Sequence, residues 1–127
     1  MAQPVARQND RVVAMDTHIV ITPGGPSPVP LPFSGPLLMS LSPDVLVNGV
    51  PAATVGSIAQ NTPPHIPPPG TSFSKPPTNL GRVITGAPAV LVNGQPLARL
   101  GDTAMTCNDP VDLPVGKIVA GSPDVLA

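Results

Sequence analysis

The sequence predicts an all-β fold: a small cone of three pseudo-threefold β-hairpin units with proline-rich loops and little or no helix. Three observations carry this. The stretch SPDVLVNGVPAATVGS, residues 42–57, returns as APAVLVNGQPLARLGD, residues 87–102. The 127 residues include 21 prolines and 12 glycines, a disorder-like share, yet the chain is 41% hydrophobic and only 10% charged. Prolines gathered in loops and apolar residues gathered in strands reconcile the two. Finally, no segment carries an apolar period of 3.6 residues, so helix is not expected.

Each unit reads as one hairpin. Asp44 to Val47 and Ala89 to Val92 are short β-prone runs, each followed by Asn-Gly, a pair that accepts positive φ at both turn positions. The prolines after them, Pro51 and Pro96, suit a turn edge or an outer strand. The chain ends supply a third unit. PVARQND, residues 4–10, matches PAATVGS and PLARLGD, while GSPDVLA, residues 121–127, matches LSPDVLV and GAPAVLV. The chain therefore reads as a three-unit ring cut within one hairpin, with Met1 and Ala127 expected close together. Three such hairpins bury together apolar faces that none can bury alone. One domain over 1–127 is expected, with proline-rich inserts at about 22–36 and 61–77 that read as pinned, polyproline-like loops.

Composition also excludes. Two Phe, no Trp and no Tyr leave Val, Ala, Leu and Ile to build a thin core. A net charge of −1 with six scattered Lys and Arg gives no footprint for nucleic acid. No basic-then-apolar leader and no long apolar run is present, so neither a signal peptide nor a membrane span is expected. One cysteine, Cys107, rules out an intramolecular disulfide and leaves a thiol to explain.

The repeat register organises the soft metal ligands. His18 lies 14 residues after Pro4 and His65 lies 14 after Pro51, the same phase of two units. The third unit has Pro110 at that phase, and Cys107 three positions earlier. A threefold arrangement brings two imidazoles and a thiol towards one axis, a donor set that zinc takes tetrahedrally and that would tie three loops together. Lone histidines and cysteines are more often surface or packing residues, and the shared phase is what lifts His18, His65 and Cys107 above that background. For the fourth position Asp16, Asp109, Asp112 and water are all open, and loop aspartates usually serve turns.

These residues resemble the PAAR-repeat spike-tip proteins of contractile injection systems, such as type VI secretion machines and phage-tail-like particles. The family motif Pro-Ala-Ala-Arg is approximated by Pro4-Val5-Ala6-Arg7, Pro51-Ala52-Ala53-Thr54 and Pro96-Leu97-Ala98-Arg99. The resemblance implies a cone that caps the blunt end of a trimeric β-helical spike (VgrG-like or gp5-like), one monomer on a trimer. Its apex would hold zinc between three histidines and a cysteine. His18, His65 and Cys107 match such ligands, but with two histidines in the chain the full set is impossible. The resemblance further implies synthesis in the bacterial cytoplasm without a signal peptide, assembly at the particle tip, transient contact with a target membrane, and effector cargo as a further partner. It implies no catalytic turnover.

Two other classes compete. A small zinc-dependent hydrolase would use the same ligands with an open position, but no Glu lies near them and the chain offers almost no aromatic pocket lining. A proline-rich interaction module could use IPPPG or PSPVPLP, yet such a ligand has no need of the hairpin repeat.

Overall fold

The computed structural model describes residues 2–127, and among them every regular element is a β-strand. Each unit contributes a base hairpin and, after its Pro-X-Ala segment, two strands of the ring. In the first unit these are β1 (Arg11–Thr22) and β2 (Gly25–Met39). The second has the base hairpin β3 (Leu46–Val47) and β4 (Val50–Pro51), then β5 (Ile58–Gln60), the short β6 (Ser72–Phe73) and β7 (Leu80–Val83). The third has the base hairpin β8 (Ala87–Val92) and β9 (Gln95–Leu97), then β10 (Thr103–Thr106) and β11 (Leu113–Ile118). Strand order β11-β10-β7-β5-β2-β1, with β1 paired back to β11, closes six strands into a ring, and β6 flanks the far end of β1.

The third base hairpin is assembled from the chain ends. Gln3 and Ala127 exchange backbone hydrogen bonds of 2.9 and 3.0 Å, and Pro4 bridges Leu126. These pairs repeat Val50 with Val47 and Gln95 with Val92. The expectation that Met1 and Ala127 lie close falls on Met1, which is outside the described residues; the described ends pair at Gln3 and Ala127.

The pseudo-threefold axis is visible in the backbone. Ala6 N donates to Ala98 O (2.9 Å), Ala98 N to Ala53 O (2.9 Å) and Ala53 N to Ala6 O (3.0 Å). Three bridges, Val5 to Arg99, Arg7 to Ala52 and Thr54 to Leu97, repeat the cycle one residue out on either side. The third motif position is alanine in every unit because three backbones close on one another there and all three methyls are fully buried.

Two apolar clusters follow from this layering. Beneath the hairpins lie Val5, Val47, Ala52, Ala87, Val92 and Leu97. Inside the ring lie Ala6, Val12, Phe33, Leu37, Ala53, Ala59, Val83, Ala98, Ala104, Cys107 and Ile118.

The first proline-rich stretch is not a loop. Residues 25–36 pair one for one with β1 over its whole length, as part of β2. The spacing explains it. Pro26, Pro28, Pro30, Pro32 and Pro36 occupy alternate positions, so their missing N–H groups all fall on one side of the strand. Ser34, in the same phase, sends its N–H to Asn61 Oδ1 and takes Thr62 N–H on its carbonyl, so that side faces away from β1. The ladder with β1 loses no donor, and the outer edge is blunted against further strand pairing. The second stretch, 61–77, is irregular except for β6, as its composition suggests.

Candidate metal centre

Strand β1 alternates cleanly, with Val12, Asp16, His18 and Val20 turned inward and buried. A strand that buries an aspartate and a histidine two residues apart within an apolar ring must satisfy them. The other contributors come from the loops that continue β5 and β10. His65 follows β5, and Cys107 is the residue after β10. Since β1, β5 and β10 all start near the Pro-X-Ala segments, these side chains gather at the end of the ring away from the base hairpins.

Asp16, His18, His65 and Cys107 are all buried, and one ligand atom from each lies within 4.8 Å of every other. The cluster has the donors and spacing to bind a metal ion. The three residues expected from the sequence are thus brought together, and Asp16 joins them. Asp109 sits beside the cluster: Oδ2 accepts Ile19 N–H at 2.9 Å and lies 3.6 Å from His18 Nδ1. Asp112 is exposed and outside it.

The hydrogen bonds are uneven. His65 Nε2 is 2.8 Å from Asp16 Oδ2, and its backbone N–H is held by Asn79 Oδ1 at 2.8 Å. The thiol of Cys107 donates to Asp16 Oδ2 at 3.4 Å. Burial, and then the neighbouring Asp16 carboxylate, push that thiol up to about 11, so it is protonated at neutral pH until a cation draws the proton off. His18 is 1% exposed, and neither of its ring nitrogens has a hydrogen-bond partner. A buried imidazole without partners costs free energy that a metal bond would offset. His18 and His65 lie with ring centroids 4.9 Å apart, and Phe73 and Phe33 cover them edge-on at 5.8 and 6.2 Å.

Thr106 and Asn108, which flank Cys107, were invisible to sequence reasoning. Thr106 Oγ1 donates to Asp16 Oδ1 at 2.5 Å, and Asn108 Nδ2 approaches the same oxygen at 3.5 Å. Ligand-type spacing could not reveal them, because neither is a soft ligand and both are about 90 residues from Asp16.

A cleft of about 560 Å³ lies elsewhere, between the hairpins β3–β4 and β8–β9. Leu41, Ser42, Thr54, Arg82 and Asn93 are among its walls. It lies where the repeat has Thr54 in place of arginine. In the equivalent cleft the guanidinium of Arg7 reaches Asn48 Oδ1 at 2.9 Å and Gly121 O at 3.3 Å.

A family model described as the PAAR motif matches residues 74–127. No curated protein and no solved structure matches the chain.

Proposed function

Residues 74–127 belong to the PAAR-repeat family of spike-tip proteins, and on that premise we propose that this chain caps the blunt end of a trimeric β-helical spike in a contractile injection machine. One observation carries the proposal. The three hairpins expose the same apolar pair at equivalent positions: Val45 and Leu46 are 37% and 60% exposed, Val90 and Leu91 39% and 63%, and Val125 and Leu126 37% and 60%. Their neighbours Val47 and Val92 turn inward to the cluster beneath. Six apolar side chains in threefold array are an unowned interface on a monomer, and a true trimer presents three matching sites to them.

In this reading the opposite end is the leading end. His18 on β1, and His65 and Cys107 on the loops that follow β5 and β10, would hold zinc between all three units, which would supply rigidity where two phenylalanines are the only Phe, Tyr or Trp side chains. Its chemistry is structural: cross-linking, with no turnover. Among the described residues no helix is long and apolar enough to cross a membrane, and the proposal needs none.

The test is co-purification with a trimeric β-helical spike protein from the same genome. Wild-type chain is expected to bind at one copy per trimer, and the triple change Leu46→Asp, Leu91→Asp, Leu126→Asp is expected to abolish binding while leaving the β-sheet spectrum intact. Undiminished binding by the triple variant would sink the proposal.

A further inference from the structure

We infer that Asp16 stands in for the missing histidine as fourth metal ligand, and that Thr106 and Asn108 orient it by holding its other oxygen. The inference rests on the metal reading above and concerns how this chain completes the set.

The first argument is the register. The third unit has Pro110 where the other two have His18 and His65, so it cannot supply an imidazole. Asp16 lies two residues before His18 on the inward face of β1, fully buried, with its carboxylate among the other three ligand atoms. The first unit therefore gives two ligands, and the second and third give one each.

The second argument is the division of labour between the two carboxylate oxygens. Oδ1 is engaged by Thr106 Oγ1 and approached by Asn108 Nδ2. Oδ2 faces His65 Nε2 and Cys107 Sγ, at 2.8 and 3.4 Å. One oxygen is tied to the wall and the other points at the two side chains that would share an ion with it. Protein hydrogen bonds to the far oxygen of a ligating carboxylate are how such ligands are oriented. Independently, His18 is almost wholly buried with both ring nitrogens unpartnered, which marks the centre of the cluster as a place for a cation and not for a closed hydrogen-bond network.

The third argument is charge. A divalent ion bound by a thiolate and a carboxylate is neutral overall, whereas a thiolate with three imidazoles leaves one positive charge. The buried carboxylate beside the cluster, Asp109, is met by Lys75 Nζ at 3.6 Å, so in a ring lined by Phe33, Leu37 and Ile118 the neutral set avoids burying a net charge. Loading the protein would release one proton, from Cys107 to solvent, as the thiolate–metal bond forms; His65 would keep its ring proton on the nitrogen that faces away from the ion, and its contact with Asp16 Oδ2 would give way to bonds from each to the ion.

The test uses Co²⁺, whose visible bands report coordination number and whose near-ultraviolet band reports a bound thiolate, with affinity measured by chelator competition. Wild type is expected to bind one ion with intense four-coordinate bands and a thiolate band that disappears in Cys107→Ser. Asp16→Ala is expected to bind about 100-fold more weakly or worse with weakened visible bands, whereas Asp16→His, which restores an imidazole, stays within about tenfold of wild type and keeps them. Thr106→Val is expected to weaken binding about 10- to 100-fold with the spectrum unchanged, and Thr106→Ser, which keeps the hydroxyl, to restore it. Wild-type affinity and spectrum in Asp16→Ala would overturn the fourth-ligand assignment and leave the other three standing. A wild-type protein with no thiolate band would overturn both. Each variant's β-sheet circular dichroism is recorded first; should Asp16→Ala not fold, the decision passes to Asp16→His, and loss of the four-coordinate bands there counts against the assignment.

Discussion

Changing Ala53 to valine should cost far more than making the same change one residue earlier. Ala52 and Ala53 are both fully buried, so burial alone predicts equal effects. Their surroundings differ. Ala53 is one of three alanines whose backbones form the hydrogen-bonded triangle at the axis, fixed by bonds of 2.9 to 3.0 Å, and two added methyl groups there enter the fully buried cluster shared with Ala6 and Ala98, whose backbones cannot spread apart. Overpacking a rigid site of this kind costs about 2 kcal/mol. At about 2.1 cal/mol/K per residue, a chain of 127 residues has an unfolding entropy near 0.27 kcal/mol/K, so the melting temperature should fall by about 7 °C. Ala52 instead faces the cluster beneath the hairpins, where its counterparts in the other units are Val5 and Leu97. Valine fits that position once and leucine once, so Ala52→Val should cost less than about 1 kcal/mol. Thermal unfolding followed by circular dichroism, with chelator present in all samples to keep metal out of the comparison, reads both variants. Equal shifts, or a larger one for Ala52→Val, would refute the claim that close backbone approach at the axis dictates the alanine.

Two further outcomes follow from the same geometry. A methyl at Gly35 would sit 2.3 Å from Gln60 O and 2.5 Å from Gln60 C, where β2 passes β5, so Gly35→Ala should destabilise by about 3 kcal/mol or more, while Gly24→Ala, whose methyl meets nothing nearer than 3.7 Å, should be close to neutral in the same urea titration. Thr54→Arg and Ser57→Asp together copy Arg7 with Asp10 but remove the hydroxyl that Ser57 donates to Ser40 O at 2.8 Å, so each single change should be unfavourable relative to the pair, with a double-mutant coupling of about 1 kcal/mol, and strict additivity would count against the copy.

Much of this molecule was legible as sequence because the repeat and its turns are local signals. Asn48-Gly49 and Asn93-Gly94 announce hairpins, and both asparagines take positive φ, 54° and 53°. His18 and His65 were found through their shared phase, which needed only counting. What escaped was of two kinds. Residues 25–36 read as a loop when proline is weighed by amount; their alternate spacing, which leaves the ladder intact, is the better signal. Thr106 and Asn108 escaped, and Asp16 stayed one of several open choices for the fourth position, because their meeting depends on how the first and third units pack across the ring. An aspartate on an alternating strand, two residues from a histidine, was the one local hint, and the inward phase of β1 gave it meaning.

The departures from threefold symmetry come in matched sets, and that matching says which contacts act as units. Asn48 takes a hydrogen bond from Ser122 Oγ at 2.6 Å and donates to Asp124 at 2.8 Å. Asn93 repeats this with Ser42 and Asp44 at 2.6 and 2.8 Å. At the third junction the serine and aspartate positions are Ala87 and Ala89, and the asparagine position falls on Met1. The Pro-X-Ala segments behave alike. Arg7 and Arg99 each send their backbone N–H to the aspartate three residues on, Asp10 and Asp102, at 2.8 and 2.7 Å. Where arginine gives way to Thr54, the aspartate gives way to Ser57, and the same N–H is met by its hydroxyl at 2.9 Å. Removing one partner of a buried polar pair strands the other, at about 1–3 kcal/mol, while removing both is nearly neutral. The same rule bears on the metal cluster. With the third unit's histidine absent, two buried imidazoles and a thiol are left one donor short, and Asp16, tied in place by Thr106 and Asn108, is the buried group that makes up the difference.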